Sequence, residues 1–174
     1  VRRPVARPGP TRRGRFATVT TDAQHACQCP CGAVRYQVSG GPLFRIICHC
    51  SICRRFNDAP YADVLVYRAA AVELPAADTV AYDTYRPPPN VQRGQCARCG
   101  RPAIERFAVP LLSRLVIVPA PVHTAPAALP DPVGHMFYDV RVADVDDGLP
   151  RHTGYLRSLL AFGKHVLRTL PARG

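Results

Sequence analysis

Three cysteines fall within six residues at Cys48, Cys50 and Cys53, with one and then two residues between them. Thiolates bind zinc at about 2.3 Å, and a tight turn that leads into a helix can direct three of them to one point. Structural zinc sites usually have four protein ligands, whereas catalytic sites usually have three and keep one position open. This central cluster therefore predicts a zinc ion with an open position, unless another residue closes it.

The other five cysteines divide into two pairs, each followed by glycine, and one spare. The pairs are Cys29 and Cys31 before Gly32, and Cys96 and Cys99 before Gly100. Glycine adopts the positive φ that a turn around a metal requires. The two pairs together supply a complete four-cysteine site. Cys27 has no glycine-closed turn of its own, and we interpret it as a spare thiol.

Disulfides are the alternative, because eight cysteines is an even number. However, the first residues are rich in Arg and Pro and lack the apolar segment of a secretory signal. A chain of 174 residues is also long for a scaffold that depends on disulfides. The short spacings therefore favour metal binding, and we expect a cytoplasmic protein.

The net charge of +11 is carried by the two ends of the chain. Residues 1–15 hold six Arg and no acidic residue, and residues 155–174 hold four basic residues and no acidic residue. Residues 1–21 contain Pro and Gly with little apolar periodicity, which predicts a disordered basic tail. Phe16 is its only aromatic residue, so we do not expect a nucleic-acid partner. No apolar run approaches the ~18 residues of a membrane helix, so no membrane partner is expected.

Residues 22–154 are predicted to form one mainly β domain. Val34, Tyr36 and Val38 alternate with polar residues, as in a half-buried strand. Similar patterns predict strands at 43–47, 61–67, 72–74, 80–85, 115–118 and 135–142, with an irregular loop at 119–134. Many short strands separated by Gly and Pro indicate a sandwich or small barrel.

The last segment, residues 155–174, has a helical period. Apolar residues recur largely at intervals of three and four, at Leu156, Leu159, Leu160, Val166, Leu167 and Leu170. This pattern predicts an amphipathic helix that packs on the core or on a partner subunit. A homo-oligomer through this helix is the second of these alternatives.

Four motifs together match a pattern found in one protein family. They are Cys-x-Cys-Gly-Ala-Val-Arg-Tyr at 29–36, Cys-His-Cys-Ser-x-Cys-Arg-Arg at 48–55, Arg-x-x-Cys-x-x-Cys-Gly at 93–100, and His135 followed by Asp147-Gly148-Leu149-Pro150. The chain resembles the glutathione-dependent formaldehyde-activating enzymes, which share a superfamily with centromere protein V. The resemblance covers about residues 27–150.

The resemblance implies a β-tent fold of packed antiparallel sheets and two zinc ions. It assigns a structural zinc to Cys29, Cys31, Cys96 and Cys99, and a catalytic zinc to Cys48, Cys50 and Cys53. It also implies a carbon–sulfur lyase that condenses formaldehyde or a similar aldehyde with glutathione or another small thiol. One departure concerns the glycine that the family usually has a few residues after the third catalytic cysteine. This chain has Asn57 and Asp58 there.

The chemistry of three thiolates favours a thiol substrate. They donate strongly to zinc and weaken it as a Lewis acid, so a fourth thiolate is preferred to water. Arg54 and Arg55 could offset the negative charge and contact an acidic thiol such as glutathione, or could lie on a solvated helix face. His135 could contribute to a substrate pocket or be a core histidine.

A non-catalytic zinc module that binds a protein or nucleic acid is the alternative function. Closure of the central zinc by Cys27 or His49 would favour that module, and an open fourth position would favour the enzyme. His49 lies between two ligands, and we expect it to form a hydrogen bond near the metal rather than to bind it.

Overall fold

The computed structural model of the chain describes residues 23–86 and 90–169. The described part forms nine strands and two α-helices. The strands are β1 (Gln24–Gln28), β2 (Arg35–Ser39), β3 (Phe44–Cys48), β4 (Ala62–Arg68), β5 (Val80–Asp83), β6 (Val91–Cys96), β7 (Pro102–Phe107), β8 (Leu115–Pro119) and β9 (His135–Met136). The helices are α1 (Ser51–Asn57) and α2 (Tyr155–Thr169).

The strands form two sheets. β1 and β2 make an antiparallel pair, and the other seven strands form one sheet in the order β5-β6-β7-β8-β4-β3-β9. Every neighbouring pair in the large sheet is antiparallel except β3 and β9, which are parallel. The predicted mainly β fold with two sheets and a C-terminal helix is confirmed, and the parallel pair is the exception to the antiparallel pattern.

The large sheet is buried on both faces, because side chains of a strand alternate between them. On β4, Leu65 and Tyr67 belong to a core cluster shared with β1 and β2. Val64 and Val66 belong to a second cluster on the opposite face, which includes Val166 of α2. The small sheet therefore covers one face and α2 contributes to the cover of the other.

Several local predictions were wrong or incomplete. Strands β1, β6 and β7 were not predicted, and the segment 72–74 makes a single bridge between Val72 and Val38 rather than a strand. The predicted strand 135–142 ends at Met136, because Phe137 has φ 55° and its N–H donates to Ser158 Oγ of α2 at 2.8 Å. A 3₁₀ turn at Tyr138–Val140 follows.

The predicted C-terminal helix is present from Tyr155 to Thr169. Three leucines on its outward side are exposed, namely Leu156, Leu160 and Leu167. This exposure does not distinguish a monomer from an oligomer, and the predicted homo-oligomer stays a prediction. Residues 1–21, for which we predict a tail, lie outside the described residues. Neither described helix is long and apolar enough to cross a membrane.

Candidate active site

The two glycine-closed pairs meet at one point, as predicted. Cys29 and Cys31 lie in the turn between β1 and β2, and Cys96 and Cys99 lie at the turn between β6 and β7. The sulfurs of Cys29, Cys31 and Cys96 are 3.4–3.6 Å apart, and all four sulfurs lie within 4.8 Å of one another. Four sulfurs at about 2.3 Å from a tetrahedral zinc would be about 3.8 Å apart. The cluster therefore fits a metal ion of this size.

The glycines that follow these pairs have the conformation inferred from the sequence. Gly32 has φ 75° and Gly100 has φ 70°. Residues with a side chain rarely adopt these angles, so glycine lets each turn fold back around the sulfurs.

The central cluster is built by the end of a strand and the start of a helix. Cys48 ends β3, Cys50 is the N-cap of α1, and Cys53 lies in the first turn of that helix. The backbone N–H of Cys53 donates to Cys50 Sγ at 3.4 Å. The three sulfurs lie within 4.8 Å of one another. All eight cysteines of the chain are free thiols, so no disulfide competes with these clusters.

The three central thiols share negative charge. Hydrogen bonds from Cys48 and Cys53 lower the pKa of Cys50. The same interaction with Cys50 raises the pKa of Cys48 to about 12, and hydrogen bonds with Cys48 and Cys50 raise the pKa of Cys53. A soft cation at this point would displace the remaining protons, because thiolates rather than thiols bind metal.

Neither Cys27 nor His49, the two residues considered as a fourth ligand, lies within the central cluster. Cys27 is buried in the core between the two sheets, and this burial raises its pKa to about 12. His49 Nε2 lies 2.9 Å from His135 Nδ1 in a hydrogen bond. Among the described Cys, His, Asp and Glu side chains, three gather here and four gather at the other cluster.

A cavity of about 330 Å³ opens onto the three central cysteines. The large sheet, α1 and α2 form its walls. Most of its lining is apolar and includes Ile46, Ile52, Val64, Val91, Phe107, Ile117, Met136, Phe137, Leu159 and Phe162. We call this cavity the chamber. The cysteine sulfurs thus lie in a largely apolar environment.

Two buried charged residues also line the chamber. Arg93 on β6 and Glu105 on β7 are opposite each other in the register of the two strands. Arg93 Nη1 donates to the Glu105 carboxylate, and Arg93 Nη2 donates to Cys53 Sγ at 3.6 Å. Burial raises the pKa of Glu105 to about 7, although the neighbouring guanidinium opposes this shift. Arg93 therefore links a carboxylate to a candidate metal ligand.

The sequence model of the glutathione-dependent formaldehyde-activating enzyme family matches residues 24–139, which is more than half of the 174-residue chain. The chain belongs to this family. No curated protein matches the sequence. Among solved structures, the crystal structure of a Rhodobacter sphaeroides protein is similar, with 20% identity and a TM-score of 0.46. That match covers 56% of this chain and 85% of the other.

The family match ends before α2, although α2 closes one side of the chamber. Tyr155, Leu159 and Phe162 of this helix all line it. The amphipathic pattern predicted the helix, but the pattern alone gave no indication of its position beside the cysteines.

The two arginines after the central cluster do not line the chamber. Arg54 Nε donates to the His49 carbonyl oxygen at 3.0 Å, and the Arg55 guanidinium lies 4.7 Å from the centre of the Tyr85 ring. Both arginines line an open cleft with Asp58. Their contact with an acidic thiol remains a prediction.

His135 is buried beside His49, which lies between Cys48 and Cys50 in the sequence. Its Nε2 donates to the Asp147 carboxylate at 2.9 Å, because a carboxylate can only accept, and its Nδ1 faces His49 Nε2. This bond joins two residues of one sequence motif, since Asp147 begins the Asp-Gly-Leu-Pro segment. His49 Nδ1 is buried without a hydrogen-bond partner among the described residues. Burial and the neighbouring His135 lower the pKa of His49.

Proposed function

We propose that this protein is a zinc-dependent carbon–sulfur lyase that joins a low-molecular-weight thiol to formaldehyde or a similar aldehyde, or catalyses the reverse cleavage. In this proposal Cys29, Cys31, Cys96 and Cys99 hold a structural zinc. The proposal assigns the catalytic zinc to Cys48, Cys50 and Cys53.

The observation that supports this function is that one cluster has four cysteines and the other has three. Four sulfurs gather where the β1–β2 turn meets the β6–β7 turn, and three gather beside a chamber. Three protein ligands with an adjacent cavity are typical of a catalytic zinc, and four are typical of a structural one. The positions of Cys27 and His49 outside the central cluster also favour the enzyme over a non-catalytic zinc module.

The condensation needs a sulfur nucleophile and a place for one proton. A zinc ion held by the three central cysteines would keep the substrate sulfur deprotonated, because soft ligands are preferred there. The sulfur lone pair attacks the carbonyl carbon, a carbon–sulfur bond forms and the carbon–oxygen π bond opens. The proton released by the thiol ends on that oxygen as a hydroxyl group. The addition of a thiol to an aldehyde involves no net oxidation or reduction, so no external redox partner is required.

The residues around the cluster support this chemistry in two ways. Arg93 places a positive charge beside Cys53, and this charge offsets part of the negative charge of several thiolates. The apolar chamber limits water near the sulfurs, and limited water strengthens the attraction between them and a cation. The charge of Arg93 favours the thiolate form that attack requires, and the attraction to the cation offsets the cost of removing water from that thiolate.

The test is the rate of carbon–sulfur bond formation with zinc-loaded protein. Carbon-13 formaldehyde is mixed separately with 2-mercaptoethanol, butanethiol and glutathione, and NMR exchange spectroscopy measures the hydroxymethyl thioether. The wild-type protein should accelerate the reaction of at least one thiol above its spontaneous rate.

Two serine variants separate the central cluster from a general effect of thiols. Cys50→Ser should lose the acceleration, and Cys27→Ser should retain it because Cys27 belongs to neither cluster. Zinc bound at both clusters without acceleration of any of the three reactions would reject the enzyme and favour the non-catalytic module.

A further inference from the structure

The chamber has apolar walls contributed by two different parts of the chain. Ile46, Val64 and Ile117 come from strands of the large sheet, and Leu159 and Phe162 come from α2. Leu159 and Phe162 are three residues apart and so lie on the same face of the helix. The three cysteine sulfurs open into the space between these two walls.

Helix α2 is anchored in this position by specific contacts. Ser158 is completely buried, and its hydroxyl accepts the N–H of Phe137, whose side chain lines the chamber. The Phe162 ring packs edge-on against Phe44, with the ring centres 5.3 Å apart, and lies 6.0 Å from the ring of Phe107. The helix is therefore a fixed wall, and it lies beyond the segment matched by the family.

The chamber offers few unpaired charged groups that could bind an ionic substrate. Arg93 and Glu105 are paired with each other and are 8% and 1% exposed. Arg86 also lines the chamber, but its side chain is exposed and therefore lies at the solvent side. Glutathione carries two carboxylates and an ammonium group, and burying such charges without partners is strongly unfavourable. An alkyl or aromatic group would need no such partners.

We infer that the chamber selects a thiol with an apolar chain or ring over glutathione, and that α2 sets this selectivity. This inference rests on the proposed function, because the thiol sulfur must be held at the central cluster for its substituent to enter the chamber. Each methylene that moves from water into an apolar site should tighten binding about fourfold, until the chamber is full.

The test measures thiol binding without turnover. The protein is loaded with Co²⁺ in place of zinc, and binding of a thiol sulfur is followed by its charge-transfer absorption. The probes are 2-mercaptoethanol, propanethiol, butanethiol, hexanethiol and glutathione. Dissociation constants should fall from propanethiol to hexanethiol, and butanethiol should bind at least roughly tenfold more tightly than glutathione.

Two neighbouring leucines of α2 provide a matched pair of variants. Leu159 lines the chamber, whereas Leu160 is 72% exposed and points away from it. Leu159→Ala should weaken hexanethiol binding roughly fivefold and 2-mercaptoethanol binding much less, because the shorter chain buries less apolar surface. Leu160→Ala should change neither. Leu159 is 43% exposed, so its truncation leaves the fold intact.

The outcomes separate this inference from the proposed function. If all thiols bind but chain length has no effect, or if glutathione binds most tightly, the inference is rejected and the proposed function stands. If Leu159→Ala and Leu160→Ala have equal effects, α2 does not set the selectivity. Absence of binding by every thiol would reject the inference and the proposed function together.

Discussion

Replacing Arg93 with Met should destabilise the protein at pH 8. The substitution keeps an apolar stem of similar length but removes the positive charge that faces Glu105. Glu105 is 1% exposed, so its carboxylate cannot exchange the guanidinium for water. Removing one partner of a buried ion pair can cost about 3–5 kcal/mol while the other charge remains, and uptake of a proton by the remaining carboxylate lowers this cost.

The size of the effect should depend on pH. Burial raises the pKa of Glu105 to about 7 from an ordinary value of 4.5. The folded wild-type protein therefore binds this proton more tightly than the unfolded chain, and the contribution of Glu105 to stability falls as the pH rises from about 4.5 to 7. Without Arg93 the pKa of Glu105 rises further, so stability continues to fall above pH 7.

The raised pKa of Glu105 predicts that the stability lost in Arg93→Met grows with pH. At pH 5.5 Glu105 is protonated in both folded proteins, so Arg93→Met should cost little. At pH 8, one unit above the wild-type pKa of about 7, the cost should approach about 1.4 kcal/mol, which lowers Tm by about 3–6 °C for a domain of this size. Thermal unfolding of zinc-loaded protein, followed by circular dichroism at both pH values, measures the difference.

The double variant Arg93→Met with Glu105→Gln tests whether charge is the cause. It removes both charges and keeps the volumes nearly constant, so its Tm at pH 8 should return close to that of the wild type. The hydrogen bond from Arg93 to Cys53 is absent from the single and the double variant alike. If the double variant is as unstable as the single one at both pH values, loss of this hydrogen bond or of packing explains the effect, and the ion-pair argument is refuted.

Two further predictions concern the metal clusters and the end of α1. Cys96→Ser should lose one zinc and the folded structure together, whereas Cys50→Ser should lose one zinc and stay folded, because only structural metal binding is folding free energy. Zinc analysis with circular dichroism checks both, and equal unfolding would contradict the division into two kinds of site. Asp58→Gly should stabilise the protein by about 0.5–1 kcal/mol, since Asp58 ends α1 at φ 48° and glycine adopts this angle without strain. Denaturant unfolding measures it, and an equal gain from Asp58→Ala would exclude backbone strain as the reason.

The cysteine clusters could be predicted from the sequence because their geometry is mostly local. Gly32 and Gly100 follow their pairs directly and have the positive φ that the turns need. The family's usual glycine near the end of α1 has the same explanation, because Asp58 occupies a left-handed position there. These features depend on a few residues that are neighbours in the sequence, so they can be identified from the sequence alone.

The arginines of the site could not be predicted in the same way. Consecutive residues of a helix point about 100° apart, so Arg54 and Arg55 turn away from the side on which Cys53 faces the chamber. The charge beside Cys53 comes instead from Arg93, which lies 40 residues further along the chain. The available signal was Glu105, an acidic residue in the apolar strand β7 and opposite Arg93 in the register. That register becomes visible only when the strands are paired.

The position at which β9 ends also depends on a residue distant in the sequence, and it affects the shape of the chamber. Alternation predicted a strand through residue 142, but the N–H of Phe137 donates to Ser158 of α2 instead of to a neighbouring strand. Phe137 then takes φ 55°, and its side chain lines the chamber. A helix beyond the family segment thus ends a strand within it and supplies one wall of the cavity beside the cysteines. The chemistry of the sulfurs is set by local motifs, whereas the shape of the space they face depends on where α2 is anchored.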